Sequence, residues 1–209
     1  MPYPVKVDVQ DVLEPYHNRI RGVVERAWAE WRAVAAFRAE QEFGPLMYSR
    51  TVANYVFDAI ARIAVIEFAA DASVHLGIET QTIKFFFKGT VFARFKKGDD
   101  SKLGQNIPTQ AALAFAAADG IFPGLPPETS KVEFIWLAND IHTRLEHVLV
   151  VARDGDRLLW DYEIEPGEAG AGAGTVIPFP QTPTPPMPPN NEDLVKPKTP
   201  DIKKPEEKE

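Results

Sequence analysis

The stretch Thr82-Ile-Lys-Phe-Phe-Phe-Lys-Gly-Thr-Val-Phe-Ala-Arg-Phe-Lys-Lys97 decides how the rest of the chain is read. Two runs of aromatic and β-branched residues flank Lys88-Gly89, a pair suited to a tight turn, so the pattern predicts a β-hairpin over 82–87 and 90–97. Alternation along the second strand puts Phe92, Arg94 and Lys96 on one face and Val91, Ala93, Phe95 and Lys97 on the other. Basic side chains therefore end both faces. A polar segment follows, and Gln105-Asn-Ile-Pro-Thr-Gln110 opens a short alanine-rich helix ending near Asp119-Gly120.

Upstream of the hairpin the hydrophobic period changes. Val9, Val12, Leu13, Tyr16, Ile20, Val23, Val24, Ala27, Trp28, Trp31 and Val34 recur at steps of three and four, the stripe of an amphipathic helix over 9–43. Pro15 lies inside that pattern and predicts a start or a kink there. Trp28 and Trp31 read as core or interface anchors. Gly44-Pro45 ends the helix, and a second helix over 49–70 carries the stripe Val52, Tyr55, Val56, Ala59, Ile60, Ile63, Ile66 with Phe68 on its flank. Two long helices joined by a short turn predict an antiparallel helical hairpin.

Downstream, a proline-rich connector leads to strands at 132–137, 145–152 and 157–164, with Arg153-Asp154-Gly155-Asp156 suiting a type I′ turn between the last two. The expected fold is α+β: an N-terminal helical hairpin packed on a mostly antiparallel sheet of about five strands, with one further short helix. Residues 1–165 form one domain in this reading. Beyond Glu165 lie 11 of the 19 prolines and a Gly/Ala-rich linker, so 166–209 reads as a disordered, Pro-rich and charged tail that is either a bare linker or a polyproline ligand.

The 209 residues are 44% hydrophobic and 25% charged, the composition of a globular domain. The absence of cysteine removes disulfides, thiolate metal sites and cysteine nucleophiles. No segment reaches the roughly 20 apolar residues needed to span a bilayer, and the N-terminus lacks the pattern of a secretory signal. A cytoplasmic protein without membrane contact is expected. Net charge is -7, yet the segment 82–102 carries +4 and leaves -11 to the remainder. That asymmetry directs attention to the hairpin rather than to the chain as a polyanion binder.

Three groups of residues are candidates for a site. Arg50, Asn54 and Asp58 stand four apart on one helix face, either as a solvated stripe or as a ridge presenting a cation, an amide and a carboxylate. Arg94, Lys96 and Lys97 supply the cations that phosphate contacts need, and Phe92 beside Arg94 could stack a base. Asn106, Thr109 and Gln110 stand at a helix start, where capping and anion binding both use such residues. His17, His75, His142 and His147 show no metal-ligand spacing, with His142 and His147 on opposite faces of one strand if that strand is continuous. A dinucleotide-binding glycine fingerprint, a Walker phosphate loop and a Gly-x-Ser-x-Gly elbow are missing, so no cofactor is expected. Glu133, Asp140, Glu146 and Asp161 would be the carboxylates of a metal-dependent nuclease, should one exist.

Tyr48-Ser-Arg-Thr-Val-Ala-Asn54 with Asp58, then Val91-Phe-Ala-Arg-Phe-Lys-Lys97, then Asn106-Ile-Pro-Thr-Gln-Ala-Ala-Leu-Ala114, resembles an uncharacterised family of bacterial and mobile-element proteins. Its members look to be often encoded beside metallopeptidases of the ImmA/IrrE type, and the resemblance covers residues 48–162. It implies a regulatory or defence operon and a protein partner, such as that peptidase, and supplies no catalytic residue. The leading expectation is therefore a non-enzymatic regulatory or binding protein. Its surface of Arg50, Asn54, Asp58, Arg94, Lys96, Lys97, Asn106, Thr109 and Gln110 would take a protein partner or a phosphate-bearing ligand. The alternatives are a metal-dependent nuclease or other nucleic-acid-processing enzyme, and a structural subunit that oligomerises through Trp28 and Trp31.

Overall fold

The computed structural model describes residues 3–79, 82–104, 113, 115–116, 126 and 128–167. The chain divides into two units, 1–169 and 170–209, and the described residues all belong to the first. The tail expected from 166 onward thus lies outside the described residues apart from its first two positions. In chain order the elements are α1 (Lys6–Leu13), a 3-10 turn (Glu14–Tyr16), α2 (His17–Glu40), α3 (Ser49–Phe68) and strands β1 (Val74–Glu79), β2 (Thr82–Phe87), β3 (Val91–Lys97), β4 (Ser130–Ala138), β5 (Leu145–Asp154) and β6 (Arg157–Glu163).

Pro15 breaks the first helical stretch, because proline brings no N–H to the ladder and its ring crowds the preceding turn. The result is the 3-10 turn between α1 and α2. α2 stops before Gly44. Glu42 takes the left-handed conformation (φ 54°) and the Phe43 N–H donates to the Arg38 carbonyl at 3.0 Å, a helix end of the Schellman kind achieved without glycine. On α3 the buried residues are Val52, Val56, Ala59, Ile60, Ala64 and Phe68. The stripe thus drifts toward Ala64 and Phe68 and leaves Ile66 exposed, the consequence of a 3.6-residue period followed over five turns.

The six strands form one sheet in the order β1-β2-β3-β4-β5-β6. Every neighbouring pair is antiparallel except β3 and β4, which are parallel with Arg94 opposite Glu133 and Phe95 opposite Phe134. The sheet gains a strand over the five expected. Val74, Leu76 and Ile78 of β1 alternate with His75, Gly77 and Glu79, a period-two pattern hidden by its short length and its glycine. The turn between β2 and β3 has positive φ at both Lys88 (46°) and Gly89 (69°), as a primed turn requires. Between β5 and β6, Asp154 pairs with Arg157 and only Gly155 of the two loop residues has positive φ (59°). That is the φ pattern of a II′ turn rather than the expected I′.

Helices α1, α2 and α3 pack on one face of the sheet. There Phe85, Phe87, Phe95 and Phe134 lie ring against ring at 5.0–6.2 Å, and Phe68 of α3 meets Phe85 and Phe87 edge-on. Each such buried side chain contributes about 1.5–3 kcal/mol of transfer free energy. Trp28 packs on Trp136 at 6.0 Å and Trp31 on Tyr55 at 5.9 Å, both indoles being buried. Both are anchors of the core. A parallel pair needs a long crossover. Here described residues of the link from β3 to β4 lie on the other sheet face, where Leu103 packs with Ile135, Leu149 and Val151, and Phe115 meets Phe92. Of the short helix expected there, Leu113, Phe115 and Ala116 are described and helical. Among the described residues no helix is long and apolar enough to cross a membrane.

Candidate functional site

The residues singled out in the sequence do not form one surface. Arg50, Asn54 and Asp58 are exposed on α3, in the helix layer. Arg94 and Lys96 point to the opposite side of the sheet, on the row of Glu133 and Val151. The sheet and the core packed on its helix side separate the two groups. Asn106, Thr109 and Gln110 lie outside the described residues.

Arg94 is not a surface cation. It is 6% exposed, and its Nε and Nη2 donate to Glu133 Oε1 at 3.0 and 2.6 Å, while Glu133 itself is fully buried. Arg153 donates to the other carboxylate oxygen at 3.5 Å, and the Gly104 N–H reaches that same oxygen at 3.3 Å. The Arg94 guanidinium stacks on Phe115 at 3.8 Å. Burial pushes the Arg94 pKa down and the Glu133 carboxylate pulls it back. Two guanidiniums thus share one carboxylate beneath the crossover. Such a cluster ties β3, β4, β5 and the crossover together, so the conspicuous charge in the hairpin is a structural clamp. Lys96 stands beside it, its ammonium making no hydrogen bond or ion pair with the described residues, and its pKa is lowered by burial and by Arg94.

Lys97 points to the helix side. Its ammonium lies 2.9 Å from His142 Nε2 and over the Trp136 ring at 6.0 Å. His142 sits in the turn between β4 and β5, not in a strand, with φ of 52°. The Asn139 carboxamide oxygen organises that turn by accepting from the N–H groups of Thr143 and Arg144 at 2.8 and 2.9 Å. The His142 carbonyl accepts the Trp31 indole N–H at 3.3 Å. Burial and the neighbouring Lys97 charge lower the His142 pKa, with Asp140 opposing them. A neutral imidazole accepting from the Lys97 ammonium follows.

These contacts bring β4–β5 against the end of the helical hairpin and frame a groove of about 570 Å³. Trp31, Ala35 and Val52 form part of its apolar lining, and Phe43, Leu46, Tyr48 and Ile141 line it while remaining exposed to solvent. Met47, in the same turn, is 86% exposed. Arg38 lines the groove, Arg50 lies over the Tyr48 ring at 4.8 Å, and Lys97 stands behind His142, against Asp140 as the lining carboxylate. The groove was not among the sequence-derived candidates. Its signal was Phe43-Gly-Pro-Leu-Met-Tyr48, a turn that keeps four large apolar residues where a loop ordinarily carries polar ones.

A second cleft of about 430 Å³ lies between α3 and the β1–β2 end, lined by Asn54 and Asp58 together with Phe57, Val65, Ile78 and Ile83. Arg62, also in its wall, is held by both oxygens of Glu30 at 2.8 Å. The carboxylates considered for a nuclease are separately engaged: Glu133 in the clamp, Asp161 with Lys102 at 2.8 Å, Glu146 with Arg144 at 2.9 Å, and Asp140 at the groove. His17 meets the Tyr162 hydroxyl at 3.0 Å and His147 meets Glu163 at 2.9 Å, whereas His142 meets Lys97. Among the described residues no three His, Asp or Glu side chains are grouped to hold a metal ion. Compared with known proteins, the chain matches no family model, no curated protein and no solved structure.

Proposed function

We infer that this chain is a non-enzymatic binding protein that docks a protein partner through the groove at the α2–α3 turn. The occupant is a segment with large apolar side chains set among acids. The observation that carries this reading is the gathering of Phe43, Leu46, Tyr48 and Ile141, all exposed, on one groove with Arg38, Arg50 and Lys97 around it. Large apolar residues left in water at one place mark a contact surface. Arg38 in the lining, with Arg50 over Tyr48 at the rim, faces Asp140, and in a chain of net charge -7 these cations favour an acidic segment over a basic one. The resemblance to proteins encoded beside ImmA/IrrE-type peptidases makes such a peptidase the first partner to try, in a regulatory role. The test is a nitrogen-15 NMR titration of the full chain with two synthetic peptides that share alternating Phe and Leu and differ in carrying Asp/Glu or Lys/Arg between them. Shifts confined to residues 35–52 and 140–142 with the acidic peptide support the reading. Equal response to both peptides, or shifts elsewhere, overturn it.

A second reading rests on Lys96. A half-buried ammonium without a hydrogen-bond partner among the described residues, beside two guanidiniums that share Glu133 while Arg153 also holds Asp156 at 3.1 Å, leaves one cation in excess, suited to a phosphate-bearing ligand. Inorganic phosphate should then raise the melting temperature of the wild-type chain and not of Lys96→Met. Equal effects on both remove this reading.

A further inference from the structure

The two edges of the sheet are treated differently. Along β6 the N-terminal segment covers the edge: the Trp160 indole N–H donates to the Pro4 carbonyl at 2.6 Å and the Lys6 ammonium donates to the Asp161 carbonyl at 2.8 Å. The pairing of β5 with β6 is also interrupted at Ala152/Arg153. Along β1 none of these devices is present among the described residues. Its register with β2 runs without a shift from Val74 to Glu79, and it carries neither proline nor lysine. Edge strands of this kind are templates for another strand.

The direction of the free backbone groups can be read from the pairing. The Lys88 N–H donates to the Ser73 carbonyl at 2.8 Å, which makes that pair a hydrogen-bonded one. In an antiparallel ladder such pairs alternate. His75, Gly77 and Glu79 therefore direct their N–H and C=O groups to β2, and Leu76 and Ile78 direct theirs outward. The side chains of Leu76 and Ile78 lie on the helix side, opposite Phe85 and Ile83, while His75 and Glu79 lie on the other side. Ile78 is 69% exposed and lines the cleft under α3.

We propose that the β1 edge pairs with β1 of a second copy of this chain, antiparallel about a two-fold axis at Gly77, to give one continuous sheet across a homodimer. That register is self-complementary at every position. The outward groups of Leu76 meet those of the other copy's Ile78, and the reverse, so the free donors and acceptors of both residues are used. Leu76 and Ile78 side chains stand opposite each other on the helix side. On the other side the His75 imidazole stands opposite a Glu79 carboxylate, twice, each carboxylate also holding the Lys84 ammonium of its own copy at 2.5 Å. At the axis the two Gly77 residues face each other with no side chains between them. A register shifted by one residue, centred on Leu76, would set His75 opposite Gly77 and lose both imidazole–carboxylate pairs. The edge is short, so the dimer is weak and concentration-dependent.

The chain contains no cysteine, which makes single-cysteine cross-linking of the full chain decisive. In this register the two Gly77 Cα atoms are about 4.5 Å apart as a non-hydrogen-bonded pair, within disulfide range. A Cβ at Gly77 meets nothing closer than 3.8 Å, so Gly77→Cys folds as the parent does. Leu76 and its copy stand about 8 Å apart, two residues out of step, beyond bridging distance. Under mild oxidation Gly77→Cys should give a covalent dimer many times faster than Leu76→Cys or the exposed-loop control Asp100→Cys. Light scattering of the wild-type chain should show the mass rising toward twice the monomer with concentration, and Ile78→Lys should hold it at the monomer with an unchanged melting temperature. A wild-type monomer at every concentration, a dimer indifferent to Ile78→Lys, or cross-linking through Leu76→Cys in place of Gly77→Cys would each overturn the proposal.

Discussion

Replacing Glu133 by glutamine tests the most consequential contact in the sheet. The substitution keeps the shape of the side chain and removes the single carboxylate that Arg94 and Arg153 share. Glu133 is fully buried, Arg94 is nearly so, and Phe115 lies over the Arg94 guanidinium, so water cannot replace the lost charge. Breaking a buried ion pair by removing one partner costs about 3–5 kcal/mol, because the remaining charge stays desolvated and unpaired. For a domain of this size each kcal/mol lowers the melting temperature by about 2–4 °C, so a loss on the order of 6–20 °C is expected. Urea unfolding followed by circular dichroism measures the difference directly, with an unchanged slope indicating that both chains unfold as the same unit. The triple variant Arg94→Met, Glu133→Leu, Arg153→Met should recover most of the loss, since it removes all three charges together. A loss below about 1 kcal/mol for Glu133→Gln, the size of an exposed pair, would refute the clamp.

Other expectations follow from the same geometry. Gly104→Ala would set a Cβ 2.6 Å from Glu133 Oε2 and 2.9 Å from Lys96 Cβ, and the displacement should cost about 1–3 kcal/mol in urea unfolding. Ile60→Ala, at a fully buried position of α3, should cost about 2–5 kcal/mol by the same assay. Burial lowers the pKa of both His17 and His142, so the unfolded chain takes up protons near pH 6.5 where the folded one resists them. Their contribution is intact above about pH 6.5 and is lost as pH falls through that value toward the folded pKa values. Stability measured from pH 7.5 to 5.5 should accordingly fall less steeply in His17→Asn/His142→Asn than in the parent.

The helices and the hairpin were legible because their signals are local. Period, proline and turn residues sufficed for α1 to α3, β2, β3 and the later strands, to within a few residues at the ends. β1 escaped notice because six residues with a central glycine make a weak alternation. The parallel pairing of β3 with β4 escaped for a different reason, since it depends on where a long crossover lands and not on either strand's own pattern. The charged residues were misread through the same gap. Arg94 looks like a surface cation in a strand until Glu133, thirty-nine residues later, is seen beside it. Lys97, on the other face, was separated from Arg94 by alternation, as the strand pattern indicated. The groove could not be read as a site because its walls come from α2, the α2–α3 turn, the start of α3 and the β4–β5 turn, which meet only in the fold.

The central claim, that the groove at the helical turn receives an apolar and acidic segment, is tested most directly by fluorescence anisotropy with the two labelled peptides on the parent chain and on Phe43→Ser/Tyr48→Ser. Both side chains are more than half exposed, so the double variant keeps the parent fold. The claim predicts that the acidic peptide binds the parent at least about tenfold more tightly than the basic one, a difference of ~1.4 kcal/mol, with the preference shrinking as salt rises. It also predicts that the double variant loses that binding. Equal affinity for both peptides, or acidic-peptide binding that survives the double substitution unchanged, would contradict it.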